Sequence, residues 1–171
     1  MRTGTDTLIT IRKLERNDRE PLCHILQETD VFTKEEIDVA VELMEIVFND
    51  PDQNEYEIYT AVSDQQEVVG FVCIGATPLT EATYDLYWIA VKPSHHHHGV
   101  GSQLLQHVES IVQQANGRML VAETSSQPKY DDTHTFYLRK GYQEVARIHE
   151  YYRPGDDLVI FAKYFSHSGG T

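Results

Sequence analysis

The sequence predicts an α/β fold built around a mixed sheet of about seven strands. Two observations predict it: short segments have apolar residues at every second position, and longer segments have them at helical spacing. Along the chain the order is strand, two helices, three strands, helix, strand, helix and two strands. This order is typical of a layered α/β architecture.

The amino-terminal part predicts one strand and one helix. Residues 8–14 alternate well enough for a strand. Asn17 or Asp18 then offers an N-cap, and Pro21 is tolerated in the first turn of a helix that reaches about Gln27.

A second helix is predicted from Thr33 to about Asn49. Thr33 and Glu36 have the spacing of a capping box, in which each side chain bonds the main chain of the other residue. Six apolar residues then recur at helical period: Ile37, Ala40, Val41, Met44, Val47 and Phe48.

The apolar period then changes to two, which predicts strands. Residues 56–62 and 68–76 form a hairpin around a turn at residues 63–66. Residues 84–91 read as a further strand and residues 118–123 as another.

Two helices lie around this last strand, and a hairpin ends the chain. Residues 100–115 predict an amphipathic helix, and residues 131–140 predict a helix that ends at Gly141, a fitting C-cap. Strands at 143–151 and 158–164 flank a turn at residues 153–157, and the tail from 166 to 171 is expected to fray. The apolar face of the helix at residues 100–115 carries Leu104, Leu105, Val108, Ile111 and Val112.

Length, composition and charge bound the class of protein. The 171 residues, 40% hydrophobic and 24% charged, predict a single domain over residues 1–171. A formal charge of -13 disfavours phosphate backbones and anionic lipid surfaces, so we expect neither nucleic acid nor membrane as a partner. No segment resembles a signal sequence or a membrane span, which predicts a cytoplasmic protein.

The residues after the strand at 84–91 point to an anion site. Val91 and Pro93 are followed, after five intervening residues, by Gly99-Val100-Gly101 at a predicted helix start. Unpaired amides there, with glycines that allow close approach, can hold a pyrophosphate. A tight turn alone would also explain the glycines.

This spacing resembles the acetyl-CoA motif of the GNAT superfamily of acyl-CoA N-acyltransferases. The family pattern of Arg or Gln, two residues, Gly, one residue, Gly or Ala falls on residues 96–101, with His96 in place of Arg or Gln. The resemblance implies the GNAT fold, with helices on both faces of the sheet, and acetyl-CoA as cosubstrate. It implies cofactor contacts from Ile89, Ala90, Val91, His96, His97, His98, Gly99, Val100, Gly101 and Ser102.

A second resemblance lies in Phe136-Tyr137 and Gly141-Tyr142, which match a family signature at the end of the fourth helix. In the family this tyrosine lies near the CoA sulfur and often serves as general acid, so the resemblance assigns that role to Tyr137. A core tyrosine is the alternative. Seven residues earlier, where the family often has Asn, this chain has Tyr130.

The resemblance also implies how an amine would attack the thioester. Pantetheine would pair with the exposed main chain of the fourth strand at Ile89 and Val91, and an N–H near Ile89 or Ala90 would hold the oxyanion. Motif counting places the base at Asp85, with ordered water as its rival. Strand alternation puts Asp85, Tyr87 and Ile89 on one face, which makes Tyr87 a candidate substrate contact.

The acceptor stays open at this stage. Tyr151, Tyr152 and Asp157 resemble the pattern near the acceptor site of bacterial small-molecule and protein N-terminal acetyltransferases, although turn chemistry also explains that hairpin. Fourteen of the 27 acidic residues lie between Glu15 and Glu57, on helices that wall the acceptor cleft in the family, which predicts a cationic or neutral amine. Solvated helix faces would explain the same charges.

Several alternatives accompany this hypothesis. The acceptor could be a small-molecule primary amine or a protein or peptide N-terminus, and the domain could also be a silent acyl-CoA-binding module. We expect a monomer or homodimer. Residues 95–98 are four adjacent histidines, which rarely converge on one ion, so no metal is predicted. Cys23 and Cys73 lie outside both motifs, so neither a disulfide nor a covalent intermediate is expected.

Overall fold

A computed structural model of the protein describes residues 8–166. These residues form seven strands: β1 (Ile9–Lys13), β2 (Glu57–Ser63), β3 (Val68–Ala76), β4 (Thr83–Val91), β5 (Met119–Ser125), β6 (Gln143–Arg153) and β7 (Asp156–Tyr164). They also form four α-helices: α1 (Arg19–Glu28), α2 (Lys34–Asn49), α3 (Val100–Gln114) and α4 (Asp131–Arg139). Short 3-10 turns lie before three helices, at Arg16–Asp18, Pro93–His95 and Pro128–Tyr130.

The strands form one mixed sheet in the order β1-β2-β3-β4-β5-β7-β6. β4 and β5 run parallel, whereas β1 with β2, β5 with β7 and β6 with β7 are antiparallel. The predicted α/β fold with a seven-stranded mixed sheet is therefore confirmed. Each helix ends within one residue of its predicted carboxyl end, because apolar period and terminal residues mark helices well.

By its contacts the described chain groups into two compact units, residues 8–73 with 88–107 and residues 74–87 with 108–166. The first unit has a core of apolar side chains from α1, α2 and the central strands. Phe32 and Trp88 pack against this core and meet edge to face, with ring centroids 5.0 Å apart. The core consists of Leu22, Ile25, Leu26, Ala40, Met44, Ile58, Phe71, Cys73 and Ala90.

The two predicted helix caps of this unit behave differently. Thr33 and Glu36 form the predicted capping box, with Glu36 N donating to Thr33 Oγ1 at 3.2 Å and Thr33 N to Glu36 Oε2 at 2.7 Å. Asp18 precedes α1, but its side chain does not cap that helix. Its carboxylate instead accepts bonds from Arg12 and from the amide of Glu15. Asp18 thus occupies the predicted N-cap position of α1 without making a side-chain capping bond.

Aromatic side chains form the centre of the second unit. The ring of Tyr137 on α4 lies 5.7 Å from that of Phe161 on β7 and 5.3 Å from that of Tyr142, between centroids. α4 ends where Gly141 adopts a φ of +85°, which is the predicted C-cap conformation. The position of Tyr137 is thus determined by packing at the heart of this unit.

The last hairpin turns more tightly than predicted. β6 reaches Arg153 and β7 begins at Asp156, so only Pro154 and Gly155 form the turn. Gly155 has a φ of +78°, which few other residues adopt without strain.

Two negative findings complete the description. No helix within residues 8–166 is long and apolar enough to cross a membrane. Cys23 and Cys73 are both free thiols.

Candidate active site

Only the first half of β4 is paired with β5. Its parallel pairing with β5 runs from Thr83 to Leu86, whereas β4 itself continues to Val91. Within the described chain, Ile89 and Val91 therefore have no register partner in β5. Leu86 and Ala90 are buried on one face of the strand, and Tyr87 is exposed on the other. The part of β4 beyond Leu86 thus faces no β5 strand where the sequence predicts pantetheine pairing.

The loop after β4 turns through two left-handed residues. His97 has a φ of +63° and Gly99 a φ of +79°. Glycine adopts this conformation freely, but a histidine is strained there by about 1 kcal/mol. A Cβ added at Gly99 would meet no atom within 4 Å, so this glycine borders open space. The loop therefore leaves room in front of the helix that follows.

The amino terminus of α3 faces that opening with unpaired amides. The first amide that bonds within the helix is that of Gln103, which donates to the carbonyl oxygen of Gly99 at 3.0 Å. The preceding amides of Val100, Gly101 and Ser102 have no helical acceptor. No acidic residue lies in this first turn, so no carboxylate of the turn itself neutralises the positive end of the helix dipole.

His96 is engaged by the protein itself. Its Nε2 lies 2.8 Å from the carbonyl oxygen of Val91, and because a carbonyl only accepts, Nε2 must carry the proton. The ring therefore ties the loop to the end of β4, and Nδ1 is left as an acceptor when the ring is neutral.

Within residues 8–166 no group of three or more histidine, cysteine or acidic residues could hold a metal ion.

Lys92, the only lysine between β4 and α3, is paired with Glu67. The bond raises the pKa of Lys92 and lowers the pKa of Glu67. The lysine is therefore bonded to the residue just before β3.

Tyr137 is buried, and its hydroxyl is protonated at neutral pH. Its side chain is 3% exposed, and its hydroxyl has no hydrogen-bond partner among the described residues. Burial raises the pKa of this hydroxyl, so it stays protonated at neutral pH. A protonated hydroxyl without a protein partner is available to donate to a ligand.

A polar network lies beside the aromatic rings of Tyr137, Tyr142 and Phe161. The hydroxyl of Tyr142 donates to Oε1 of Glu109 at 3.1 Å, and Nζ of Lys163 donates to Oε2 of the same carboxylate at 3.0 Å. Lys163 also donates to the carbonyl oxygen of Lys140, one residue past α4. The end of α4 is thereby fixed to α3 and β7.

Asp85 on β4 is half-buried and already has a partner. The hydroxyl of Thr77 donates to its Oδ2 at 2.7 Å, which leaves Oδ1 without a hydrogen bond within the described chain. A carboxylate with one occupied oxygen can still accept a proton through the other. The geometry of Asp85 is therefore compatible with the predicted role of base.

The candidate acceptor residues of the last hairpin divide into two groups. Asp157 is occupied, because its carboxylate accepts from the amide of Glu150 at 3.0 Å and from Arg147 at 3.2 Å, and the amide bond above all lowers its pKa. Tyr151 and Tyr152 are 57% and 49% exposed, and their rings meet edge to face at 5.1 Å. The tyrosines thus lie exposed on the surface, whereas Asp157 supports the irregular backbone of β6.

Comparison with known proteins identifies the family. A model of the acetyltransferase (GNAT) domain matches residues 54–144. A crystal structure of a presumed GNAT-family acetyltransferase from Desulfovibrio desulfuricans shares 38% identity over 92% of this chain and 99% of that chain, with a TM-score of 0.88. This chain belongs to the GNAT acetyltransferases.

Two more distant members of this fold illustrate its range. The ribosomal-protein-S18-alanine N-acetyltransferase of Escherichia coli is 21% identical over 96% of this chain and 98% of that chain, with a TM-score of 0.73. An aminoglycoside 6'-N-acetyltransferase complexed with coenzyme A is 19% identical over 94% of this chain and 99% of that chain, with a TM-score of 0.71. At these identities the likeness shows the fold alone. No protein of curated function matches the sequence.

The residues of this GNAT acetyltransferase fit a CoA pyrophosphate on physical grounds. The open space at Gly99 and the unpaired first-turn amides of α3 provide donors and room for an anion. Beyond Leu86, β4 has no register partner in β5 within the described chain, and an extended amide chain could pair with the main chain of Ile89 there.

Sequence reasoning missed His134, which lies one turn before Tyr137 on α4. Its Nε2 lies 2.8 Å from Oγ1 of Thr124 and 3.1 Å from the carbonyl oxygen of Ser125. Its three-residue distance from Tyr137 could have indicated a shared helix face. The bonding partners on β5, in contrast, are brought close only by the fold.

Proposed function

We propose that this GNAT acetyltransferase transfers an acetyl group from acetyl-CoA to a primary amine of a small molecule by direct attack. The amino terminus of α3 carries the donor half of the proposal. Its unpaired amides follow Gly99, whose positive φ and open surroundings suit a pyrophosphate. Membership of the family supplies the reaction type.

In the proposed reaction the amine nitrogen attacks the thioester carbonyl carbon. A C–N bond forms, the C–S bond breaks, and a main-chain N–H at Ile89 or Ala90 stabilises the oxyanion between these events. The hydroxyl of Tyr137 gives its proton to the departing thiolate. Asp85 or an ordered water takes the proton from the amine, and after product release solvent takes that proton from the base and returns one to the Tyr137 oxygen, which restores the enzyme.

The state of the cysteines supports direct attack rather than a covalent acetyl-enzyme. Cys73 is fully buried, and burial raises the pKa of its thiol to about 12. Cys23 is half-buried on α1, and burial raises its pKa as well. A thiol nucleophile needs a thiolate, which both surroundings disfavour.

The charge of α1 and α2 supports a cationic or neutral acceptor. Asp18 and Glu45 pair with Arg12 and Arg19, whereas most other acidic residues between positions 15 and 57 are exposed. A surface that carries charge of one sign concentrates ligands of the opposite charge. Solubility alone would explain the same exposure, and the salt dependence of kcat/KM distinguishes the two explanations.

A second candidate acceptor is the amino terminus of a peptide or protein. The exposed pair Tyr151 and Tyr152 favours it, because an extended peptide needs contacts beyond its terminal amine. A catalytically silent acyl-CoA-binding domain is the remaining alternative.

The experiment is an amine screen in which release of the CoA thiol reports transfer. The panel contains small cationic amines, amino acids, aminoglycosides and peptides with free amino termini, and the Tyr137→Phe variant serves as the control for enzymatic transfer. Thiol release with a small amine is the expected result. Release with peptides alone would favour the second candidate. Binding of acetyl-CoA without release for any amine would indicate the silent domain.

A further inference from the structure

The imidazole of His134 connects α4 to the end of β5. Its Nε2 lies 2.8 Å from Oγ1 of Thr124 and 3.1 Å from the carbonyl oxygen of Ser125. A carbonyl oxygen only accepts, so Nε2 carries the proton and donates. The hydroxyl of Thr124 agrees with this assignment, because it can donate its own proton to the carbonyl oxygen of Val159 at 3.3 Å.

His134 and Tyr137 share one aromatic neighbour. The ring of Phe161 lies 5.1 Å from the His134 ring and 5.7 Å from the Tyr137 ring, between centroids. Phe161 is 1% exposed and belongs to the central part of β7. A shift of the histidine would therefore be transmitted to the tyrosine through both α4 and this shared ring.

α4 depends on such contacts because it is weak by itself. It has nine residues, and Tyr130 at its N-cap makes no side-chain capping bond. An isolated helix of this length is unstable in water, and the missing cap removes about 1 kcal/mol of support. The carboxyl end is fixed by the bond of Lys163 to Lys140, and His134 provides the corresponding bond near the amino end.

We propose that His134 is a positioning residue for Tyr137, which holds the hydroxyl of that tyrosine in place by bonding α4 to Thr124 and Ser125. The inference rests on the proposed function, in which Tyr137 donates a proton to the departing thiolate. His134 itself exchanges no proton with substrate in this scheme. Its contribution is geometric, and a misplacement of about 1 Å near reacting atoms can lower turnover a hundredfold.

Three substitutions on α4 test the bond. His134→Leu keeps the bulk and removes the donor, and it lowers kcat roughly ten- to a hundredfold, with KM for acetyl-CoA changed by less than about twofold. His134→Gln places an amide donor near the position of Nε2 and restores most of kcat. Thr135→Ala, at an exposed position of the same helix, leaves kcat unchanged. Thermal unfolding of each variant reports whether the fold persists.

A double-mutant cycle distinguishes positioning from other roles. In a Tyr137→Phe background, His134→Leu lowers kcat by less than about twofold, because there is no hydroxyl left to misplace. Full additivity of the two losses would overturn the inference, as would wild-type kcat in a folded His134→Leu variant. Failure of the proposed function gives a different result, namely unchanged turnover in Tyr137→Phe alone.

Discussion

The imidazole Nε2 of His96 lies 2.8 Å from the main-chain carbonyl oxygen of Val91. This bond joins the loop before α3 to the last residue of β4. A side chain at the motif position of Arg or Gln thus holds the loop to the protein itself. The observation leads to a prediction about cofactor affinity.

His96→Ala raises KM for acetyl-CoA about fivefold and leaves kcat nearly unchanged, since one hydrogen bond contributes about 1 kcal/mol. His96→Gln retains a donor and stays within about twofold of wild type. The exposed His24 on α1 provides the control, because His24→Ala leaves this KM unchanged. Steady-state kinetics measure all three variants. An unchanged KM in His96→Ala would mean that the bond to Val91 has no part in cofactor binding.

Acetyl-CoA raises the melting temperature of the wild-type protein, because it binds the folded state alone. At about 100 times Kd it adds about 2.7 kcal/mol, which corresponds to roughly 5 to 10 °C for a chain of this size. Gly101→Glu abolishes the shift by placing a carboxylate at the amides of α3. Gln114→Glu adds the same charge at the other end of the helix and keeps the shift. Equal shifts in both variants would contradict the assigned cofactor site.

Tyr137→Phe lowers turnover roughly ten- to a thousandfold while acetyl-CoA affinity stays nearly intact, which is the loss plausible for one proton donor. Burial raises the pKa of this hydroxyl above the ordinary tyrosine value. The protonated form therefore persists to higher pH, and ionisation of Tyr137 causes no loss of kcat below about pH 10. A pH profile of kcat checks both statements. Wild-type turnover in the variant at every pH would reduce Tyr137 to a packing residue.

If the acidic residues between positions 15 and 57 attract the acceptor, kcat/KM for the best cationic amine falls as salt rises. At physiological ionic strength the screening length is about 8 Å, so the attraction is largely lost. A neutral amine measured in parallel corrects for the effect of salt on acetyl-CoA. Equal salt dependence of the two amines, or a dianionic best substrate, would remove the electrostatic argument.

Asp18→Asn destabilises the fold by about 1–3 kcal/mol at neutral pH, because it breaks charged hydrogen bonds to Arg12. Burial opposes ionisation of Asp18, but the bonds from Arg12 and the Glu15 amide prevail and lower its pKa. The pKa of Asp18 is lower in the folded protein than in the unfolded chain, where it is near 4. Ionised Asp18 therefore stabilises the folded protein above about pH 4, and this stability is lost as the pH falls through the pKa of the folded state. Denaturant unfolding at neutral and acidic pH checks this.

The difference in the free energy of unfolding between Asp18→Asn and the wild type therefore becomes smaller below about pH 4. Asp38→Asn, at an exposed position of α2, serves as the control and changes stability by less than about 0.5 kcal/mol. A difference that persists at acid pH would show that packing rather than charge makes Asp18 important.

Much of the fold was accessible from local patterns. The apolar period of two and the capping box at Thr33 and Glu36 predicted β3 and α2 with their observed bounds. These signals are local, since each depends on residues within one or two turns of one another. Asp18 occupies the predicted N-cap position of α1, but its carboxylate binds Arg12 on β1 instead of capping the helix, and sequence spacing does not show that bond.

The sequence by itself determined the order of elements, the glycines before α3 and the place of Tyr137 in its signature, because local backbone preferences and motif spacing are written along the chain. The tertiary structure decided which partners those residues meet. The bond of His96 to Val91 depends on a turn of the loop, and the bonds of His134 to Thr124 and Ser125 depend on the packing of α4 against β5. Such bonds join groups that only the closed fold brings within hydrogen-bonding distance, so no pattern of neighbouring residues records them.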